Sequence, residues 1–148
     1  MGQMTPVRIT FTTPPDEHGW PPARFERVWA LQTSDSWARL DNVPFFTKEA
    51  TLDDLVEFRV DPDGVCAFVR NVEASENSLI RVLTHTRDTF DRVQKALMDL
   101  GCVVEGHATM LMLAVSISRS AGLQAPMDFL VELEEEGELE YEEAIIRL

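Results

Sequence analysis

The chain has little cysteine, and what it has is scattered. Cys66 and Cys102 are the two cysteines in 148 residues, each in apolar surroundings. A disulfide framework needs more, so buried free thiols are expected. No apolar run approaches the roughly 18 residues of a membrane span. The longest, Met110–Val115, is strand-sized. The N-terminus, Met1-Gly-Gln-Met-Thr-Pro, has no basic start followed by an apolar stretch, so no signal peptide is expected. Pro6 stands where a myristoylation site carries Ser or Thr. Cytoplasmic residence is the resulting expectation.

Basic residues are scarce too. Thirteen Lys and Arg face 26 Asp and Glu, a net charge of −13. Such a chain repels nucleic-acid backbones and anionic lipid, so neither nucleic acid nor membrane is expected as a partner. It attracts and steers a basic protein. Acidity for solubility alone is the plainer explanation, and both readings stand at this point.

The motifs of common enzyme classes are missing. There is no G-x-G-x-x-G or G-x-x-x-x-G-K-[ST] phosphate loop and no G-x-S-x-G elbow. His18, His85 and His107 are far apart and unpaired with cysteine, so no metal site and no cofactor is expected. His85 falls between a strand and a helix start and is the candidate acid/base group. Asp61-Pro-Asp-Gly64 lacks the ligand alternation of a calcium loop and reads as a hairpin turn. Asp53 and Asp54 would point about 100° apart on a helical turn and make no dyad.

What is present is patterned. Val7–Thr13 alternates apolar and polar as a half-buried strand. Four prolines and a glycine then make a loop around Trp20, where packing outweighs binding. Phe25–Leu31 and Trp37–Leu40 read as a hairpin about Ser34-Asp-Ser36, with most of its aromatics expected in the core. Asp41-Asn-Val-Pro44 forces a corner. Thr51–Leu55 reads as one helical turn capped by Thr51. Val56–Val60 and Val65–Val72 pair about Asp61–Gly64. After a polar stretch at 73–78, Leu79–Leu83 reads as a buried strand. A helix follows, capped at Thr86 or Asp88 and ended by Gly101. Cys102–Glu105 and Thr109–Ile117 read as strands about a Gly106-His107 turn. A helix with Pro126 at its first position follows, burying Met127, Leu130, Leu133 and Val131, and a second short helix covers Tyr141–Leu148.

The expected fold is therefore α+β. Residues 1–74 form a small β-barrel of short antiparallel strands. Residues 75–148 form a ferredoxin-like βαββα half with an acidic helical C-terminus.

Charge is most uneven at that C-terminus. Residues 1–127 hold 17 acids and 12 bases, whereas the last 21 hold nine acids and one base. Like charges crowded on a helix cost stability. A solvated face is one explanation. A docking surface for a basic protein is the other, with Glu132, Glu134, Glu135, Glu136, Glu138 and Glu140 as the partner-binding candidates. Its most concrete form is a non-enzymatic immunity- or antitoxin-type inhibitor that occludes a basic effector, such as a toxin. The alternative is a sensor or regulatory domain with a small ligand between the halves, near Asp41, Asn42, Ser78, Arg81 and His85.

Several segments carry a likeness. They are Trp20-Pro21, Trp29-Ala30, Asp41-Asn-Val-Pro-Phe45, Asp54, Ser75-x-x-Ser78-x-x-Arg81-Val82, Leu100–Gly106 and Glu138–Glu143. On these, the chain from about Val7 to Tyr141 resembles a bacterial family filed as a domain of unknown function, number 4265. The resemblance implies a small cytoplasmic bacterial protein with no agreed activity, and carries over no catalytic residue.

Overall fold

The computed structural model describes residues 4–148. Met1–Gln3, on which the N-terminal signal reading partly rests, lie outside the described residues. The chain divides into two compact units, Met1–Ser75 and Glu76–Leu148. Its described residues are predominantly β, with two helices. No helix among the described residues is long and apolar enough to cross a membrane.

The N-terminal unit is a meander of β1 (Thr5–Thr12), β2 (Phe25–Gln32), β3 (Trp37–Leu40), β4 (Leu55–Val60) and β5 (Cys66–Glu73). The strands close into a ring, β5 returning to β1. Successive pairs are antiparallel, but the closing pair is parallel, which corrects the all-antiparallel expectation. The reason is parity: an odd number of strands in a meander brings the last alongside the first in the same direction. Ile9, Phe11, Val28, Ala30, Ala38, Leu40, Val56 and Phe58 fill the interior. Phe11 and Phe68 stack there, their ring centres 4.6 Å apart.

The period of two that puts Val28 and Ala30 inside puts Trp29 outside. Trp29 and Trp37 are 47% and 38% exposed, so they are not core residues as expected. Trp20 packs edge-on against Phe46 at 5.7 Å. The helical turn expected at Thr51–Leu55 is absent. Asp53 takes φ 67 in a tight turn, and the Asp54 carboxylate accepts the Thr51 N–H at 3.0 Å. The left-handed backbone at Asp53 leaves the helical region, and the Asp54 N–H closes on Thr51 O at 3.1 Å as an isolated turn.

The C-terminal unit runs β6 (Asn77–Thr84), α1 (Arg87–Asp99), β7 (Val103–His107), β8 (Met112–Ser118), α2 (Gln124–Glu135) and β9 (Leu139–Ile145). The order is βαββαβ, and the sheet is antiparallel in the order β7-β8-β6-β9. The expected helix at Tyr141–Leu148 is therefore corrected to a strand. Both helices end alike. Gly101 (φ 90) and Gly137 (φ 75) each follow a helix in the left-handed region. Cys102 N–H bonds Leu97 O and Gly101 N–H bonds Met98 O, while Glu138 N–H bonds Leu133 O and Gly137 N–H bonds Glu134 O. This paired closure is the Schellman motif. Gly137 thus ends α2 and releases the chain into β9, whose Leu139 and Tyr141 then alternate with glutamates.

Smaller corrections follow from the same packing. Gly106 and His107 belong to β7, and the hairpin turn is Ala108–Leu111, so β8 starts at Met112. Pro126 is the third residue of α2, still among the first N–H positions that no helical carbonyl needs. Val131 is exposed, because Leu130 and Leu133 already define the inward stripe.

The core of this unit joins Ile80 and Val82 of β6 to Phe90, Val93 and Leu97 of α1, Leu113, Val115 and Ile117 of β8, and Leu130 and Leu133 of α2. The Phe90 ring closes on β7 at Gly106. A Cβ there would sit 2.7 Å from the ring's Cζ. Gly106→Ala is expected to lower unfolding stability by about 1–3 kcal/mol in urea titration. Phe90→Leu in the same chain should recover part of that loss, which a loss at Gly106 unrelated to the ring would not.

Candidate functional site

The acidic C-terminus is not one helical surface. Glu132, Glu134 and Glu135 occupy the last turn of α2, and Glu136 is its C-cap. No base stands in that turn. The carbonyl end of a helix is its negative pole, so each acid there works against the helix dipole. Glu140 and Glu142 alternate with Leu139 and Tyr141 on β9 and point to the opposite sheet face.

These acids divide into engaged and unengaged groups. Glu138 receives the Arg92 guanidinium at 3.0 Å. Glu142 lies 3.7 Å from Arg81, and Glu134 accepts the Tyr141 N–H at 3.4 Å. Glu132, Glu135, Glu136 and Glu140 are exposed and have no ion pair among the described residues. Burial, then the charges of Glu134, Glu143 and Glu135, push the Tyr141 hydroxyl above its ordinary range.

The candidate ligand residues fall in two units and have different neighbours. Asp41 is exposed, and its N–H bonds Trp29 O at 2.8 Å, fixing the corner before Pro44. Asn42 is half-buried beside it. Ser78 is buried and holds the C-terminal segment. Its Oγ accepts the Arg147 N–H at 2.9 Å and donates to Arg147 O at 3.3 Å. Arg81 is 5% exposed. It stands in a register row across the sheet, with Glu105 of β7, Ala114 of β8 and Glu142 of β9. His85 is exposed in the β6–α1 loop, next to Thr86, the N-cap of α1. His107 Nδ1 accepts the Met110 N–H at 3.3 Å within its hairpin. Among the described residues, no group of three His, Cys, Asp or Glu is placed to hold a metal.

Residues 26–141 match the family described as a domain of unknown function (DUF4265). The chain belongs to this family. The match begins in β2 and ends in β9, so it takes in parts of both structural units and most segments of the resemblance, with Trp20-Pro21 and Glu142–Glu143 outside it. A crystal structure of a hypothetical protein from Neisseria gonorrhoeae is similar over 100% of this chain and 99% of that one, at 16% identity and a TM-score of 0.70. At that identity the likeness is one of fold. No curated protein matches.

The first residue of the family match is one that sequence reasoning missed. The Glu26 carboxylate accepts three successive backbone N–H groups, from Phe45 at 2.6 Å, Phe46 at 3.0 Å and Thr47 at 2.9 Å. It anchors the loop that follows the Asp41–Pro44 corner. Its sequence separation of about 20 residues left no local signal. Glu26→Ala should cost about 1–3 kcal/mol, because buried donors lose their acceptor. Thermal unfolding of the variant would check it, with Glu26→Gln retaining part of the stability.

Cys66 and Cys102 are both free thiols. Burial pushes the Cys102 thiol up to about 11. Only the thiolate is nucleophilic, so roughly one Cys102 in a thousand is reactive at pH 8. Iodoacetamide at that pH should label half-buried Cys66 well before Cys102, read by peptide mass spectrometry. Equal rates would contradict the burial of Cys102.

Proposed function

We propose that this chain is a non-enzymatic protein-binding module whose acidic C-terminal unit docks on a basic protein. In its most concrete form it is an immunity- or antitoxin-type inhibitor that occludes a basic effector. The observation that carries the reading is the set of exposed carboxylates at the C-terminal end of α2, unneutralised and placed where they oppose the helix dipole. Glu132, Glu134, Glu135 and Glu136 form the centre of the surface, with Glu138 at its margin and Glu140 on the neighbouring strand. Acids that cost the fold stability are retained for something other than folding. Charge of one sign gathered on one element raises the encounter rate with a basic partner.

We read the closed ring as a small β-barrel and the C-terminal unit as ferredoxin-like. The βαββαβ order and the β7-β8-β6-β9 sheet support the second reading. The free thiols support a reducing, cytoplasmic compartment.

The test uses the full chain as bait in low salt. One basic protein should be retained, released by salt, and lost when Glu134, Glu135 and Glu136 are changed to Lys. Its own activity should fall in the complex. The same triple variant should unfold at higher urea, by about 1 kcal/mol or more, because cations replace anions at the helix C-terminus. Failure to retain any partner, or equal retention by the triple variant, would sink the reading.

A further inference from the structure

The ring closes through a short seam. β1 and β5 are eight residues each, yet they pair at two positions, Ile9 with Cys66 and Thr10 with Ala67. Beside that seam lies a depression of about 310 Å³, lined by Val7, Arg8, Thr10, Arg27, Val65 and Cys66. That is the lower end of the roughly 300–1,000 Å³ used by small-ligand sites.

The chemistry of its wall is unusual for this chain. Arg8, Thr10 and Arg27 all point outward, since they alternate with buried Ile9, Phe11 and Val28. Arg27 stands directly opposite Thr10 in the β1–β2 register, and Arg8 lies two residues along the same face. Neither arginine has an ion pair among the described residues, in a chain with twice as many acids as bases. Of the two carboxylates in the adjoining turn, Asp63 is exposed and makes no ion pair with either arginine, and Asp61 is turned onto its own backbone. Asp61 Oδ1 accepts the N–H groups of Asp63 at 2.8 Å and Val65 at 2.9 Å. Arg8 is held with its guanidinium 5.3 Å from the centre of the Trp29 ring. Stacking occupies the guanidinium face and leaves its N–H edge free to donate.

We infer that this depression binds a phosphate-type oxyanion, carried by a small phosphomonoester. Two guanidiniums and a hydroxyl match a dianion with three acceptor oxygens, more than one carboxylate would use. The apolar remainder, Val7 and Val65, and the exposed Trp29 nearby suit a small organic group. A nucleic acid is disfavoured because its long charged backbone meets the whole acidic molecule. A single phosphate is screened from distant carboxylates beyond a Debye length of about 8 Å. The inference is independent of the docking of the acidic unit.

Calorimetric titration of the full chain tests it, with glucose 6-phosphate, inorganic phosphate, glucose and a short single-stranded oligonucleotide as probes. Saturable binding of glucose 6-phosphate is expected, with none of glucose. Tighter binding of the ester than of inorganic phosphate would place the organic group in the depression, and equal binding would assign the site to the phosphate itself. Arg8→Gln and Arg27→Gln should each weaken it about tenfold, the loss of one charge-assisted hydrogen bond. Thr10→Glu should abolish it by placing a carboxylate between the two cations. All three positions face outward, so circular dichroism melts should stay near those of the parent. No saturable binding of either phosphate at millimolar concentration would overturn the inference. So would unchanged affinity in the folded arginine variants, or binding of the oligonucleotide alone.

Discussion

The pairing of β9 with β6 is the contact on which the C-terminal unit depends. β6 is buried along nearly its whole length, which suits only a strand with neighbours on both sides. β8 supplies one neighbour and β9 the other. Without β9, a row of buried backbone donors and acceptors on β6 would lose its partners. The chain reaches that place because the Schellman closure at Gly137 ends α2 abruptly. Leu139 then enters the core and Tyr141 packs against its margin.

That constraint changes the meaning of the glutamates. On β9 they occupy an edge strand, and charge on an edge strand discourages pairing with another chain's sheet. Glu140 has a sufficient structural reason in that role. Of the acids at the end of α2, Glu134 reaches β9 through the Tyr141 N–H, while Glu132, Glu135 and Glu136 have no such contact and oppose the helix dipole. The unexplained acids therefore lie on α2 rather than on β9, although the sequence presents both as one run.

Much of the fold was legible because periodicity carried it. Alternation in Val7–Phe11 and Val56–Val60 located β1 and β4, and Phe90, Val93 and Leu97 at helical spacing located α1. β9 was misread because Glu is a good helix former and local composition favoured helix. The alternation of Leu139 and Tyr141 was the competing signal, and sheet pairing decided for it. The tryptophans failed for another reason. Size suggested core, but a five-stranded ring already filled by Phe11, Phe58 and Phe68 turns Trp29 and Trp37 outward. Of the candidate site residues, Ser78 proved to hold Arg147, and Asp41 to fix a corner. Contacts like Glu26 with Phe45–Thr47 join residues too far apart for a pattern to reveal.

The two units use their charges in different proportions. In the N-terminal unit, carboxylates act as backbone acceptors. Asp16 takes the N–H groups of His18 and Trp20, Glu26 those of Phe45–Thr47, Asp54 those of Thr51 and Ser75, and Asp61 those of Asp63 and Val65. A carboxylate directed at local backbone is held away from distant cations, which is how Arg8 and Arg27 remain unneutralised. Arg70 with Glu57 is the N-terminal unit's arginine–carboxylate pair among those shown. In the C-terminal unit such pairs are more numerous: Arg87 with Asp91, Arg92 with Glu138, Lys95 with Asp99 and Arg119 with Glu76. There the cations run out first, and the surplus acids collect on α2. One net charge of −13 thus conceals a cationic depression in one unit and an acidic surface in the other. Each suits a ligand of opposite sign.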